Sequence, residues 1–273
     1  MKKILCAVAA VAAGAALADI TSANIVGYSN RELTKNVQEL SSGDFVGIAA
    51  QEFTLDELVM VDGVDDGGST IRWMLPGGVY KTAYWGEIFV DEEGNDLADE
   101  DIYIGWADSV TDLPAHYTFK AGEGFFVKPG NNAKNPKLTS SGALYTCDST
   151  LARVGVQLTK NVQEITSNPM PGGQLELDDI IMVDGVDDGG STIRYMLPGG
   201  VYKVAYWGEI FVDDEGNDLA DEDIYIGWAD SVTDLPAHYT FKAGESYFVK
   251  PGNNAKNPYI SYPNPLYVAP VAD

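Results

Sequence analysis

Along the chain, short runs rich in Val, Ile, Thr, Tyr and Trp alternate with clusters of Gly, Pro, Asp and Asn. This is the pattern of β-strands separated by turns. Ser69 to Met74 and Val79 to Val90 flank Pro76, Gly77 and Gly78, which predicts a hairpin, and Glu92 to Asn95 predicts the next turn. A second hairpin is predicted between Tyr117 to Lys120 and Phe125 to Lys128, joined by Ala121, Gly122, Glu123 and Gly124. Thr54, Leu55, Asp56 and Glu57 form a Thr-x-x-Glu capping box ahead of an apolar stretch and predict a short helix. Asp96 to Asp101 (DLADED) has the acids of another helical start.

The pattern occurs twice. Met60 to Pro136 recurs as Met182 to Pro258 with five substitutions: Trp73/Tyr195, Thr82/Val204, Glu92/Asp214, Gly124/Ser246 and Phe125/Tyr247. LTKNVQE at Leu33 to Glu39 recurs at Leu158 to Glu164, and the stretch matching the Thr54 box, Leu175 to Ile181, lacks the Thr. The fold expected is all-β: two tandem, near-identical β-sandwich or β-barrel-like repeats with at most short helices. The repeats span residues 19–147 and 151–265, with a linker at 148–150 and a tail at 266–273. One interlocked pseudo-twofold domain is the alternative. Whatever one copy binds, the other should also bind, giving a bivalent molecule.

The opening MKKILCAVAAVAAGAALA reads as a signal peptide over residues 1–18, with Lys2 and Lys3 before a short apolar run and cleavage after Ala18. An exported protein follows: secreted, periplasmic or associated with the cell surface. The apolar run is too short for a comfortable membrane span. Cys6 leaves with the signal, so Cys147 is the one remaining cysteine, an idle thiol or the site of a disulfide dimer. With 41 acidic and 17 basic residues the formal net charge is −24. That surface repels nucleic acid and anionic membranes and leaves cations, neutral glycans and protein partners as candidates.

Oxygen-bearing side chains at near-alternate positions suggest calcium. They are Asp91, Glu93, Asn95, Asp96, Asp99 and Asp101, repeated as Asp213, Glu215, Asn217, Asp218, Asp221 and Asp223. This is not an EF-hand, because counting from Asp91 puts Asp96 where Gly belongs and Ile102 where Glu belongs. Asp62, Asp65 and Asp66, with Asp184, Asp187 and Asp188, are further candidate ligands. Asp, Asn and Gly are also ordinary turn formers on a solvated face. Aromatic residues give a second candidate chemistry, stacking on sugars, with Trp73, Trp106, Tyr195 and Trp228 as the residues to test. Core packing is the competing account of the same residues. Glu87 and Asp91 are a conceivable acid and base for glycoside cleavage, but so acidic a chain contains many such pairs. His116 and His238 stand alone in their LPAHYTF contexts, which gives neither a zinc cluster nor a nucleophile and base.

SANIVGY at Ser22 to Tyr28 and AGEGFFVKPG at Ala121 to Gly130 resemble a family of uncharacterised exported bacterial proteins that open on NIVGY and close their repeats with a GEGFF-type strand. The resemblance implies no activity and no catalytic residues. The function expected is a noncatalytic secreted or cell-surface structural or adhesive protein, stabilised by Ca²⁺. The alternatives are a bivalent carbohydrate-binding module and, behind it, a glycan-active hydrolase.

Overall fold

The computed structural model describes residues 26–267, apart from 43, 46–47, 50–51, 63–65, 76–77, 121, 144–150, 168–174, 185–187, 198–199, 243 and 265–266. The expected signal peptide, Cys147, the expected linker, most of the expected tail, Asp65 and Asp187 lie outside the described residues. In the first copy the strands are β1 (Val26–Glu32), β2 (Glu39–Ser42), β3 (Asp44–Phe45), β4 (Ile48–Ala49), β5 (Glu52–Thr54), β6 (Leu58–Val61), β7 (Asp66–Met74), β8 (Tyr80–Ile88), β9 (Tyr103–Asp108), β10 (Thr118–Lys120), β11 (Gly124–Lys128) and β12 (Lys137–Ala143). The second copy carries β13 (Arg153–Gln157), β14 (Glu164–Ser167), β15 (Leu175–Glu176), β16 (Ile181–Val183), β17 (Asp188–Met196), β18 (Tyr202–Ile210), β19 (Tyr225–Asp230), β20 (Thr240–Phe241), β21 (Ser246–Lys250) and β22 (Tyr259–Pro263).

The protein is all-β and its sheets are antiparallel and open; none closes into a barrel among the described residues. In the first copy a five-stranded sheet, ordered β2-β11-β7-β8-β9, covers a three-stranded sheet, β1-β12-β6, with the pair β10-β5 alongside. The second copy has the same orders: β14-β21-β17-β18-β19, β13-β22-β16 and β15-β20. Between the sheets of the first copy lie Leu55, Leu58, Ile71, Phe119, Phe125 and Val127, all fully buried. Trp106 ties the two layers together, since its indole Nε1–H donates to the Leu58 carbonyl at 2.7 Å.

The β7-β8 hairpin forms as expected, closed by Leu75 N–H to Val79 O at 2.7 Å, with Gly78 at φ +84°; Pro76 and Gly77 lie outside the described residues. The second expected hairpin does not form. Gly122 does turn the chain at φ +81°, and Glu123 N–H donates to Lys120 O at 2.9 Å. The two strands then diverge, because β10 pairs with β5 whereas β11 pairs with β2 and β7. The capping box gives only a 3-10 turn, Leu55–Glu57, with Glu57 accepting the Thr54 N–H at 2.7 Å, and Asp99–Asp101 forms another. In the second copy the turn Leu177–Asp179 forms without the Thr.

Side chains alternate across a strand, so Phe125 and Val127 enter the core while Phe126 faces the other way. There Phe126 meets Phe248 of the second copy, ring centroids 5.6 Å apart, in a cluster with Leu40 and Ile165. The contact is reciprocal about a pseudo-twofold. Ser42 N–H donates to Gly244 O and Ser167 N–H to Gly122 O, while Ser41 bridges Glu245 and Glu123 bridges Thr166. The backbones therefore hydrogen-bond across the joint.

The joint breaks its own symmetry at Gly124/Ser246. Ser246 Oγ donates to Ser41 O at 2.7 Å. A Cβ on Gly124 would sit 2.5 Å from Ile165 Cγ2 and 2.6 Å from Ser246 Oγ. The counterpart of Ile165 on the other side of the pseudo-twofold is Leu40, which has no β-branch. Gly124→Ala is therefore expected to lower stability by about 1–3 kcal/mol, read from the urea midpoint. In the second core the Phe125/Tyr247 substitution adds a hydroxyl that meets the hydroxyl of Tyr262 at 2.5 Å, both side chains fully buried. Tyr247→Phe alone should cost about 1–3 kcal/mol by orphaning Tyr262, and the double change to Phe should recover most of that loss, measured in a double-mutant cycle.

Candidate functional site: a histidine-bridged cleft

A cleft of about 730 Å³ in the second copy opens at β19, the edge strand of the five-stranded sheet. Its acidic and basic lining comes from three places: Asp178 in the 3-10 turn, Asp184 after β16, and His238 in the segment before β20. The apolar lining comes from β19, from Trp207 of β18 and from Ile181 and Met182 of β16. Tyr225 is 48% exposed, and its ring lies across Gly227, where a Cβ would come within 3.0 Å of it. The missing side chain at Gly227 is what lets this ring rest on the strand.

His238 is held at both ring nitrogens. Nδ1 pairs with Asp178 Oδ2 at 2.9 Å and Nε2 with Asp214 Oδ1 at 2.8 Å, so the imidazole bridges the 3-10 turn to the acidic loop. The hydrogen bonds to Asp214 and then Asp178 raise its pKa above the ordinary imidazole value, outweighing its partial burial. Burial raises the Tyr225 phenol, and the charges of Asp178 and Asp214 add to it. The first copy has the same arrangement: His116 pairs with Asp56 at 3.1 Å and Glu92 at 3.4 Å, beside an equally exposed Tyr103. The Glu92/Asp214 substitution therefore falls on the bridge itself.

The acidic loops have another use for their oxygens. Asp91 Oδ1 accepts the N–H groups of Glu93 at 3.0 Å and Asn95 at 2.8 Å, and the Asn95 side chain donates to both Asp91 oxygens. These bonds, the Asn95 side chain first, hold the Asp91 carboxyl below its usual range, and Asp213 behaves alike through Asn217. Glu93, Asp96, Asp99 and Asp101 are exposed, as are Glu215, Asp218, Asp221 and Asp223. Among the described residues no three His, Cys, Asp or Glu side chains converge as a metal centre, so the calcium reading gains no support from this geometry.

The aromatic residues singled out as sugar platforms are core residues. Trp73, Trp106, Tyr195 and Trp228 are 2–4% exposed, so their ring faces are taken up by packing. Trp73 packs on Tyr117 at 5.3 Å and Tyr195 on Tyr239 at 4.5 Å. Trp106 and Trp228 each stand edge-on to a second indole, Trp85 or Trp207, at 5.0 Å. Trp228 lines part of the cleft although it is 2% exposed. Phe89, Tyr103, Phe211 and Tyr225 are half-exposed rings; Tyr225 lines the cleft, and the Tyr-x-Gly spacing on an edge strand is the signal that would have found it and Tyr103. No family model matches the chain, and neither a curated protein nor a solved structure matches it.

His238 is raised in the folded state, so the bridge adds stability that is fully present below about pH 6.5 and is lost as pH rises through the folded-state pKa. An NMR titration should place the His238 midpoint above about 6.5, and Asp214→Asn should move it downward. A midpoint unmoved by that change would disprove the bridge.

Proposed function

We propose that the protein is a noncatalytic exported binding module, adhesive in role, with one glycan-binding cleft on each copy. The observation that carries the reading is the half-exposed Tyr225 ring resting against Gly227 beside Asp178, Asp184 and His238. A flat aromatic face stacks on the C–H face of a pyranose, and flanking carboxylates accept its hydroxyls. The repulsion that so acidic a surface exerts on polyanions favours a neutral polysaccharide.

Both nitrogens of His238 are engaged by carboxylates, so the ring serves here as a bridge between the 3-10 turn and the acidic loop. Two copies of the cleft on one chain make the binding bivalent, which multiplies affinity for a repeating polymer without new contacts.

The test is a pull-down on insoluble neutral polysaccharides. Wild type should be retained, Tyr103→Ala or Tyr225→Ala alone should weaken retention by about tenfold or more through lost avidity, and the double variant should elute freely. Both tyrosines are half exposed, so the variants keep the fold, which circular dichroism would verify. Retention of the double variant equal to wild type would remove the proposal.

A further inference from the structure

Two smaller clefts flank the joint, exchanged by the pseudo-twofold. One, about 310 Å³, runs between Glu39 of the first copy and Tyr195, Tyr239 and Glu245 of the second. The other, about 320 Å³, runs between Glu164 of the second copy and Trp73, Tyr117 and Glu123 of the first. Their walls correspond residue for residue, but the charge inside them does not.

In the first of these clefts a guanidinium is already in place. Arg31 Nη1 donates to Leu40 O and Ser41 Oγ, each at 3.0 Å, and to the carbonyl of Gly244. Its Nη2 pairs with Glu39 at 3.1 Å. Arg31 Cδ passes over Gly244 at the distance a Cβ there would make contact, 3.4 Å. The repeat puts Val156 at this position in the other cleft, where it lies over Gly122 in the same way. The carboxylates persist without the arginine. Glu164 remains where Glu39 stands, and Glu123 is held by the Lys120 N–H at 2.9 Å and the Tyr117 hydroxyl at 3.4 Å.

The other walls of this cleft are aromatic: Trp73 and Tyr117 pack against each other at 5.3 Å and both line it. Burial raises the Glu123 carboxyl and the charge of Glu164 adds to this, while the Lys120 N–H, the Lys120 charge and the Tyr117 hydroxyl oppose it. Burial, with Glu123 beside it, pushes Tyr117 up to about 12. The nearby cation is thus the exposed Lys120, and its counterpart Lys242 is present in the cleft that also has Arg31.

We propose that the cleft between Glu123 and Glu164 binds an arginine side chain supplied by another molecule, a basic segment of a partner protein. It takes from outside the group that Arg31 supplies from within on the opposite side of the joint. Arginine fits better than an inorganic cation, because a planar guanidinium forks onto carboxylate and carbonyl oxygens, as Arg31 does on the opposite side. The strongly acidic surface steers a basic segment toward the site. The site is separate from the glycan cleft, so neither proposal depends on the other.

The test is calorimetric titration of the full mature chain, at low salt, with acetyl-Gly-Arg-Gly-amide and with its Gly-Gln-Gly counterpart. The arginine peptide should bind at one site per chain and the glutamine peptide should not. Glu164→Gln, which keeps an oxygen for the Thr159 N–H, should weaken the arginine peptide by about tenfold or more. Val156→Arg should abolish binding and raise the melting temperature, since the new guanidinium occupies the cleft. Equal binding of both peptides, or an affinity unchanged by Glu164→Gln, would overturn the proposal even if Val156→Arg failed to fold.

Discussion

Burial on both faces of β11 and β21 is the constraint on which the rest of the structure depends. A strand whose successive side chains are Phe125, Phe126 and Val127 cannot turn either face to water without exposing an aromatic ring. One face is covered by the three-stranded sheet of its own copy. The other has no layer of that copy against it and is covered by the second copy, through Phe248 and Ile165. Fully burying a side chain of this size is worth about 1.5–3 kcal/mol, so the joint has the energetic character of a core. The backbone bonds across it and the placement of the two Arg31-type positions follow from that demand.

This account also explains where the copies differ. Gly124/Ser246 lies in the joint, Phe125/Tyr247 directly behind it, and Trp73/Tyr195 on the wall of the joint clefts. Glu92/Asp214 sits on the histidine bridge. The strands that build each sandwich are otherwise the same, because each copy packs its own core in the same way. Four of the five substitutions thus fall where one copy touches the other or where a charge is held, and Thr82/Val204, on β8 and β18, has no structural explanation.

The sequence made some of this legible. The β7-β8 hairpin could be read because Pro76, Gly77 and Gly78 dictate both the turn and the return of the chain. The turn before β11 could be read, but not its outcome, since turn chemistry does not say which sheet the next strand joins. The continuous apolar run at Phe125 to Val127 is the mark of a strand buried on both sides, and it was read only as half of a hairpin. Trp73 and Trp106 were unreadable as core or surface, because both lie on strands that alternate regularly and only the covering layer decides. The histidine bridge was hidden by distance along the chain: Asp178 lies 60 residues from His238 and Asp214 lies 24 away. The acidic loop was legible as a loop, with its Asp91 to Asn95 bonds an ordinary consequence of Asp and Asn in turns.

The unequal fit at Gly124 and Ser246 bears on how such a chain reaches its native state. Strands β7 and β17 have nearly the same sequence, as do β8 and β18, so a hairpin made from one of each would be almost as stable as the correct pair. Chains with closely similar neighbouring units are prone to this cross-pairing, which traps misassembled forms. Local order favours the right partners, because the β7-β8 turn closes before distant strands can meet. The joint adds a second preference, because an exchange of β11 with β21 would bring the Ser246 side chain to the place where a Cβ would lie 2.5 Å from Ile165 Cγ2. The smallest residue in the joint thereby disfavours swapped strands when the two units dock.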